Sequence, residues 1–155
     1  MSRILSILTA PAPSAPMTAR PEVLAVPGRG LEGDRYFLGL GTFSPSPQKP
    51  DYEVTLIESE ELESFCRRTG LPFSAEAARR NLVTAGVRLN DLAGSEFLVG
   101  NVRLRGIRWC EPCAYLARIS HPEVLPELVH RGGLRAQILS EGWIRPGDVV
   151  ARILS

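Results

Sequence analysis

Glu96-Phe97-Leu98-Val99-Gly100-Asn101-Val102-Arg103-Leu104-Arg105-Gly106-Ile107-Arg108-Trp109-Cys110-Glu111-Pro112-Cys113 is the stretch whose reading settles the architecture. Two runs of strand-forming residues flank Gly100-Asn101, a two-residue connection with glycine first, which suits a tight hairpin. The pattern predicts strands over residues 96–99 and 102–108, followed at once by a Pro-bearing turn that carries two thiols. A strand fixes where its last residue points, and a turn beyond it leaves the next side chains free to face a cleft. Cys110 and Cys113 therefore stand where chemistry can be placed, beside Arg108 and Trp109. A ligand for such a place is anionic, flat or thiophilic.

Working outward, Tyr115, Leu116 and Ile119 predict a short helical segment, and a second helix is expected over residues 123–130, ended by Gly132-Gly133. Residues 134–140 alternate as a strand, Gly142 and Pro146-Gly147-Asp148 mark turns, and residues 149–154 form a last strand. Upstream, residues 3–9 alternate as a strand. Residues 10–21 carry Pro11, Pro13, Pro16 and Pro21 and read as an extended connection to a short strand at 22–26. Residues 52–58 form a strand, and Ser59 is expected to cap a helix over 60–69, with Glu60 and Glu61 in its first turn, Arg67 and Arg68 in its last, and Gly70 as its stop. Leu62, Phe65 and Cys66 share one face of it, which makes Cys66 a core thiol. Ser74 is expected to cap a second short helix over 76–79 that empties into Asn81-Leu82-Val83-Thr84. Seven or so short strands with interposed helices, lacking the regular alternation of a parallel sheet, predict a mainly β (α+β), barrel-like fold.

The 155 residues fit one domain, 1–155, with 44% hydrophobic and 23% charged residues. A net charge of +1 and the lack of a basic run argue against nucleic acid as a partner. No apolar stretch reaches membrane-spanning length, which argues against a membrane. Three cysteines, an odd number, without a secretory signal point to a cytoplasmic protein with reduced thiols.

Gly28-Arg29-Gly30-Leu31-Glu32-Gly33 has the letters of a dinucleotide fingerprint, which works only if the third glycine opens a helix. Here Gly39, Gly41, Pro45, Pro47 and Pro50 follow, so that reading fails. The glycines instead aim Asp34 and Arg35, or make a plain turn with a surface ion pair. Residues 39–51 form a long loop, either a functional lid or a mobile segment. Arg79, Arg80 and Asn81 sit at a helix-to-strand junction and offer forked donors and an amide from one rigid corner, or simply a charged helix end.

Four readings of Cys110-Glu111-Pro112-Cys113 compete: a zinc site completed by His121 and His130, a dithiol redox pair, apolar packing beneath Trp109, and a soft-metal thiolate ligand made available by Arg108. The histidines are separated by eight intervening residues including a proline, against the usual zinc spacing, and the β-rich context argues against the redox pair.

Taken together, Gly30-Leu31-Glu32-Gly33-Asp34-Arg35-Tyr36, Arg79-Arg80-Asn81-Leu82-Val83, Cys110-Glu111-Pro112-Cys113, Gly133-Leu134-Arg135-Ala136 and Ile144-Arg145-Pro146-Gly147-Asp148 resemble a MOSC domain of the stand-alone bacterial type. The MOSC domain is the C-terminal domain of molybdenum-cofactor sulfurases. The resemblance implies a β-barrel-like fold with molybdenum cofactor (molybdopterin) as ligand. By position it makes Cys113 the thiolate on molybdenum or the carrier of a persulfide. It also makes Arg79, Arg80 and Asn81 the molybdopterin contacts, Asp34 and Arg35 a second site-lining block, and Cys110 a further cofactor-binding residue. The pyridoxal-phosphate domain of the sulfurases is not in this sequence, and Lys49, its only lysine, lies in the Pro-rich loop, a poor setting for a Schiff base. The implied activity is an oxidoreductase that reduces N-hydroxylated small molecules with electrons from a separate reductase. The alternative is a non-catalytic carrier of sulfur or cofactor, served by a sulfur donor or acceptor protein.

Overall fold

The computed structural model describes residues 2–41 and 49–153. Its strands are β1 (Arg3–Thr9), β2 (Thr18–Ala19), β3 (Val23–Val26), β4 (Gly30–Leu31), β5 (Val54–Glu58), β6 (Leu82–Ala85), β7 (Glu96–Val99), β8 (Val102–Trp109), β9 (Leu134–Ile138), β10 (Gly142–Ile144) and β11 (Val150–Arg152). Four short helices intervene: α1 (Ser59–Thr69), α2 (Ala75–Ala78), α3 (Ala114–Ile119) and α4 (Val124–Glu127). The β7–β8 hairpin forms as its sequence predicts, with Val99 opposite Val102.

One sheet runs in the order β11-β7-β8-β9-β5-β6-β1-β2, and β10-β3-β4 make a second. The two ends of the larger sheet are stitched together. Ile4 N–H donates to the Asp148 carbonyl at 2.9 Å, Gly147 N–H to the Ile4 carbonyl at 2.7 Å, and Val150 N–H to the Ser2 carbonyl at 3.0 Å. The sheet therefore curls back on itself, which removes most of its free edge. Among the described residues its strand-to-strand ladders are antiparallel except β5 with β6, which is parallel and needs a crossover; α1 and α2 supply it.

Inside the curl lies an apolar cluster that includes Ile4, Leu56, Leu82, Phe97, Leu104, Leu134 and Ile138. A second cluster, with Leu8, Ile57, Phe65, Val83, Leu116 and Leu128, packs the helices on the opposite face. Ile4 and Ile7 enter the first cluster while Leu8 enters the second; a register shift between Ile4 and Ser6 makes that possible within one strand.

Several local expectations shift. Ser59 is the first helical residue of α1 rather than its cap; Glu58 stands at the cap and makes no capping bond. Gly70 ends that helix in the left-handed region, φ 72°, as a glycine stop should. Ser74 caps α2, its hydroxyl accepting the Ala77 N–H at 3.1 Å. The helix expected over 123–130 is only α4, and Gly142 opens β10 instead of turning, because it pairs with Ala25 far away in sequence. Most of the loop expected over 39–51, residues 42–48, lies outside the described residues. No helix among the described residues is long and apolar enough to cross a membrane.

Candidate functional site

Asp34 and Arg35 are delivered by the turn after β4 and are buried as an ion pair at 3.1 Å. Asp34 is completely enclosed, and its carboxylate also accepts the N–H groups of Ala10 at 3.2 Å and Tyr36 at 3.3 Å. With its counter-charge behind it, Arg35 reaches forward: Nη2 donates to the Arg79 carbonyl at 3.3 Å, and the guanidinium lies 4.9 Å from the Tyr36 ring centroid. Gly33 opens a run of turns over residues 33–39 and not a helix, as the rejection of the dinucleotide reading expects.

Arg79 ends α2 with φ 58° and ψ 33°, a left-handed conformation uncommon for a side-chain-bearing residue and often found where function sets the backbone. Its Nη1 donates to the Ala15 carbonyl at 2.7 Å, while its Nη2 is buried with no hydrogen-bond partner among the described residues. Burial lowers the Arg79 pKa from its ordinary value, and the neighbouring Arg35 charge lowers it further. Both pressures are relieved by an anion.

Arg80 and Asn81 serve differently. Arg80 donates from Nε to the Gly132 carbonyl at 2.9 Å, from Nη1 to that of Ala78 at 3.2 Å and from Nη2 to that of Cys110 at 3.5 Å. It thereby ties three segments of the cleft wall. Gly132 must be glycine here, since a Cβ would collide with the Cys110 carbonyl. Asn81 is buried, and its amide links β5, β6 and β1 through Thr55 and Leu8.

The two thiols part company. Cys110 is enclosed, with its N–H on the Gly133 carbonyl at 2.8 Å. Cys113 is half-buried and caps α3, its Sγ accepting the Leu116 N–H at 3.4 Å. That contact fixes where the sulfur points. Neither joins a zinc set: His121 hydrogen-bonds the Pro72 carbonyl at 2.8 Å, His130 pairs with Glu111 at 2.9 Å, and no group of three metal-ligating side chains assembles among the described residues.

Cys113, Arg35, Arg79 and Arg80 line one open cleft, together with Tyr36, Thr55, Glu111, Tyr115, Leu116 and Arg135. Four guanidinium groups against one carboxylate make it strongly cationic around a single thiol. Asp34, Asn81 and Cys110 stand behind this surface and hold it in place. Thr55, Tyr115 and Arg135 receive no site role in a reading of sequence alone, although Arg135 falls in the Gly133-Leu134-Arg135-Ala136 block. The signal for Arg135 is an arginine at an alternating strand position, off the apolar face made by Leu134, Ala136 and Ile138.

Comparison with known proteins bears on this arrangement. No curated protein matches the sequence. Among solved structures, YuaD from Bacillus subtilis superposes with a TM-score of 0.83 at 16% identity, over 100% of this chain and 98% of that one. YiiM from Geobacillus stearothermophilus superposes at 0.77 with 19% identity over 99% and 76%, and YiiM from Escherichia coli at 0.70 with 18% identity over 99% and 70%. At such identities the likeness is one of fold. The family model for the MOSC domain matches residues 43–151, which spans the β5–β6 crossover, the arginine corner and both thiols, and the chain belongs to the MOSC domain family.

Proposed function

We propose that the Cys113 cleft binds molybdenum cofactor and that the protein reduces an N-hydroxylated small molecule. The family is linked to molybdenum-cofactor binding. The observation that supports the reading most is Arg79: a buried guanidinium N–H without an acceptor among the described residues, beside a second arginine and in the same cleft as a half-buried thiol. A donor so placed costs stability until an acceptor meets it, and a phosphate supplies several acceptor oxygens. The donor set therefore fits the group. Arg79 and Arg35 hold its phosphate end, and Cys113 offers the soft sulfur that molybdenum prefers. When bound, the cofactor supplies a metal centre able to take oxygen from a substrate. The chain itself binds, orients and encloses: Arg80 and Asn81 keep the corner rigid, and the Leu116 N–H holds the thiol in line. Electrons come from a separate reductase.

The test is the molybdenum and pterin content of protein made in a cofactor-producing host, for wild type, Cys113→Ala and Cys110→Ala. Wild type should carry both, Cys113→Ala should lose molybdenum, and Cys110→Ala should retain it. Sulfane sulfur on Cys113 in a protein without turnover would favour the carrier role instead. A wild type free of molybdenum and pterin sinks the cofactor reading.

A further inference from the structure

Arg135 enters the cleft from the sheet, not from the arginine corner. On β9 it is the direct cross-strand partner of Thr55 on one side and of Arg108 on the other. Arg108 is neutralised by Asp51 at 2.8 Å, a contact that also holds the turn at residues 50–52 against the sheet. Arg135 makes no salt bridge among the described residues. Its Nη1 donates to the Asp51 carbonyl at 3.4 Å, and its guanidinium lies 5.1 Å from the Tyr52 ring centroid. Its Nε is buried without a partner among the described residues.

With Nη1 committed and the plane held by an aromatic ring, the remaining edge of the fork is Nε with Nη2. That edge matches two oxygens of a carboxylate or phosphate. Support from the Asp51 carbonyl and the Tyr52 ring removes part of the entropy a free arginine loses on binding. We infer that Arg135 is a second oxyanion-recognition point of the cleft, independent of the Arg79 and Arg35 corner. The oxyanion has two sources, an anionic group on the small-molecule substrate or the phosphate of the cofactor. Assigning it to the substrate rests on the function proposed above.

The first arm uses cofactor-free protein, from a host unable to make the pterin, with inorganic phosphate and acetate as probes. Binding is read as the rise in thermal midpoint with probe concentration. Measurements are made in an Arg79→Gln background, so that the unpaired donor of the corner does not mask the result; Arg35 stays on Asp34 in every variant compared. The expected outcome is at least tenfold weaker phosphate binding when Arg135→Gln is added. Arg135→Lys, which keeps the charge and loses the fork, should remain weaker than arginine by threefold or more. Equal titrations with and without Arg135→Gln overturn the inference, as does the lack of any binding when Arg135 is present. If Arg135→Gln does not fold, Arg135→Lys decides by the same threefold criterion.

The second arm measures pterin and molybdenum in Arg79-intact protein from a cofactor-producing host. Full cofactor content in Arg135→Gln assigns the oxyanion to the substrate, and KM should then rise for a carboxylate-bearing substrate but not for an uncharged one. Loss of pterin assigns it to the cofactor phosphate. If wild type itself carries no cofactor, the proposed function fails while the phosphate result stands on its own.

Discussion

The side-chain oxygen of Asn81 accepts the Thr55 backbone N–H at 3.1 Å and the Thr55 hydroxyl at 3.2 Å, while its amide nitrogen donates to the Leu8 carbonyl at 3.1 Å. One side chain thus joins the parallel β5–β6 pair to β1, and Thr55, its partner, is part of the cleft surface. Asn81→Ala leaves a buried N–H and a buried carbonyl unpaired. The expected loss is about 2–4 kcal/mol, read from the midpoint of urea unfolding.

Asp34→Asn preserves shape and removes the counter-charge of Arg35, which has no other carboxylate within salt-bridge reach among the described residues. Breaking a buried pair from one side costs about 3–5 kcal/mol. The same urea experiment checks it. Arg35→Met combined with Asp34→Asn should recover part of that loss, because no charge is then left buried.

Burial raises the pKa of Glu53 above its ordinary 4.5, although the N–H groups of Ile138 at 3.0 Å and Gly28 at 3.3 Å pull it down. Between 4.5 and the raised folded value, the folded chain binds more protons than the unfolded one, so stability falls as pH rises. Glu58, raised by burial as well, adds to that slope. Glu53→Gln keeps an acceptor for both N–H groups without a charge. Its stability should decline less with pH across this window than that of wild type, as measured by chemical unfolding at a series of pH values.

Cys113 is half-buried and Cys110 is 1% exposed. Brief alkylation of the native protein, followed by peptide mass spectrometry, should mark Cys113 well before Cys110. Denaturant should erase the difference. Equal rates in the native state would contradict the placement of Cys110 behind the cleft wall.

Gly133 has φ 108°, and a Cβ there would collide with the Leu56 carbonyl. Gly133→Ala should cost at least about 3 kcal/mol, or prevent folding, because strain and overlap act together at the root of β9. The thermal midpoint of the purified variant, or its failure to accumulate, reads the effect.

What was legible in the sequence is what short-range chemistry controls. Gly100-Asn101 between apolar runs gives the hairpin, Gly70 stops α1, and the Ser74 hydroxyl caps α2. Alternation also placed residues 3–9 in β1. What escaped depends on partners remote in the chain. Gly142 looks like a turn until it is paired with Ala25, and nothing near residues 147–150 announces that they close the sheet against β1. At the site, Arg79, Arg80 and Asn81 look equivalent as a block of donors. Their division of labour appears only once carbonyls from Ala15, Gly132, Cys110 and Leu8 surround them. Arg135 needed the opposite knowledge, namely which of its donors the fold leaves without an acceptor.

Arg80 bonds the carbonyls of Ala78, Cys110 and Gly132, which lie on the α2 corner, the thiol turn and the approach to β9. Jaws fastened to one hub cannot spread separately. With that side of the aperture held by one hub, molecules that enter should be sorted there by outline more than by adaptation of the wall. A graded series of ever bulkier guests should be accepted almost evenly up to a limiting width and then refused abruptly.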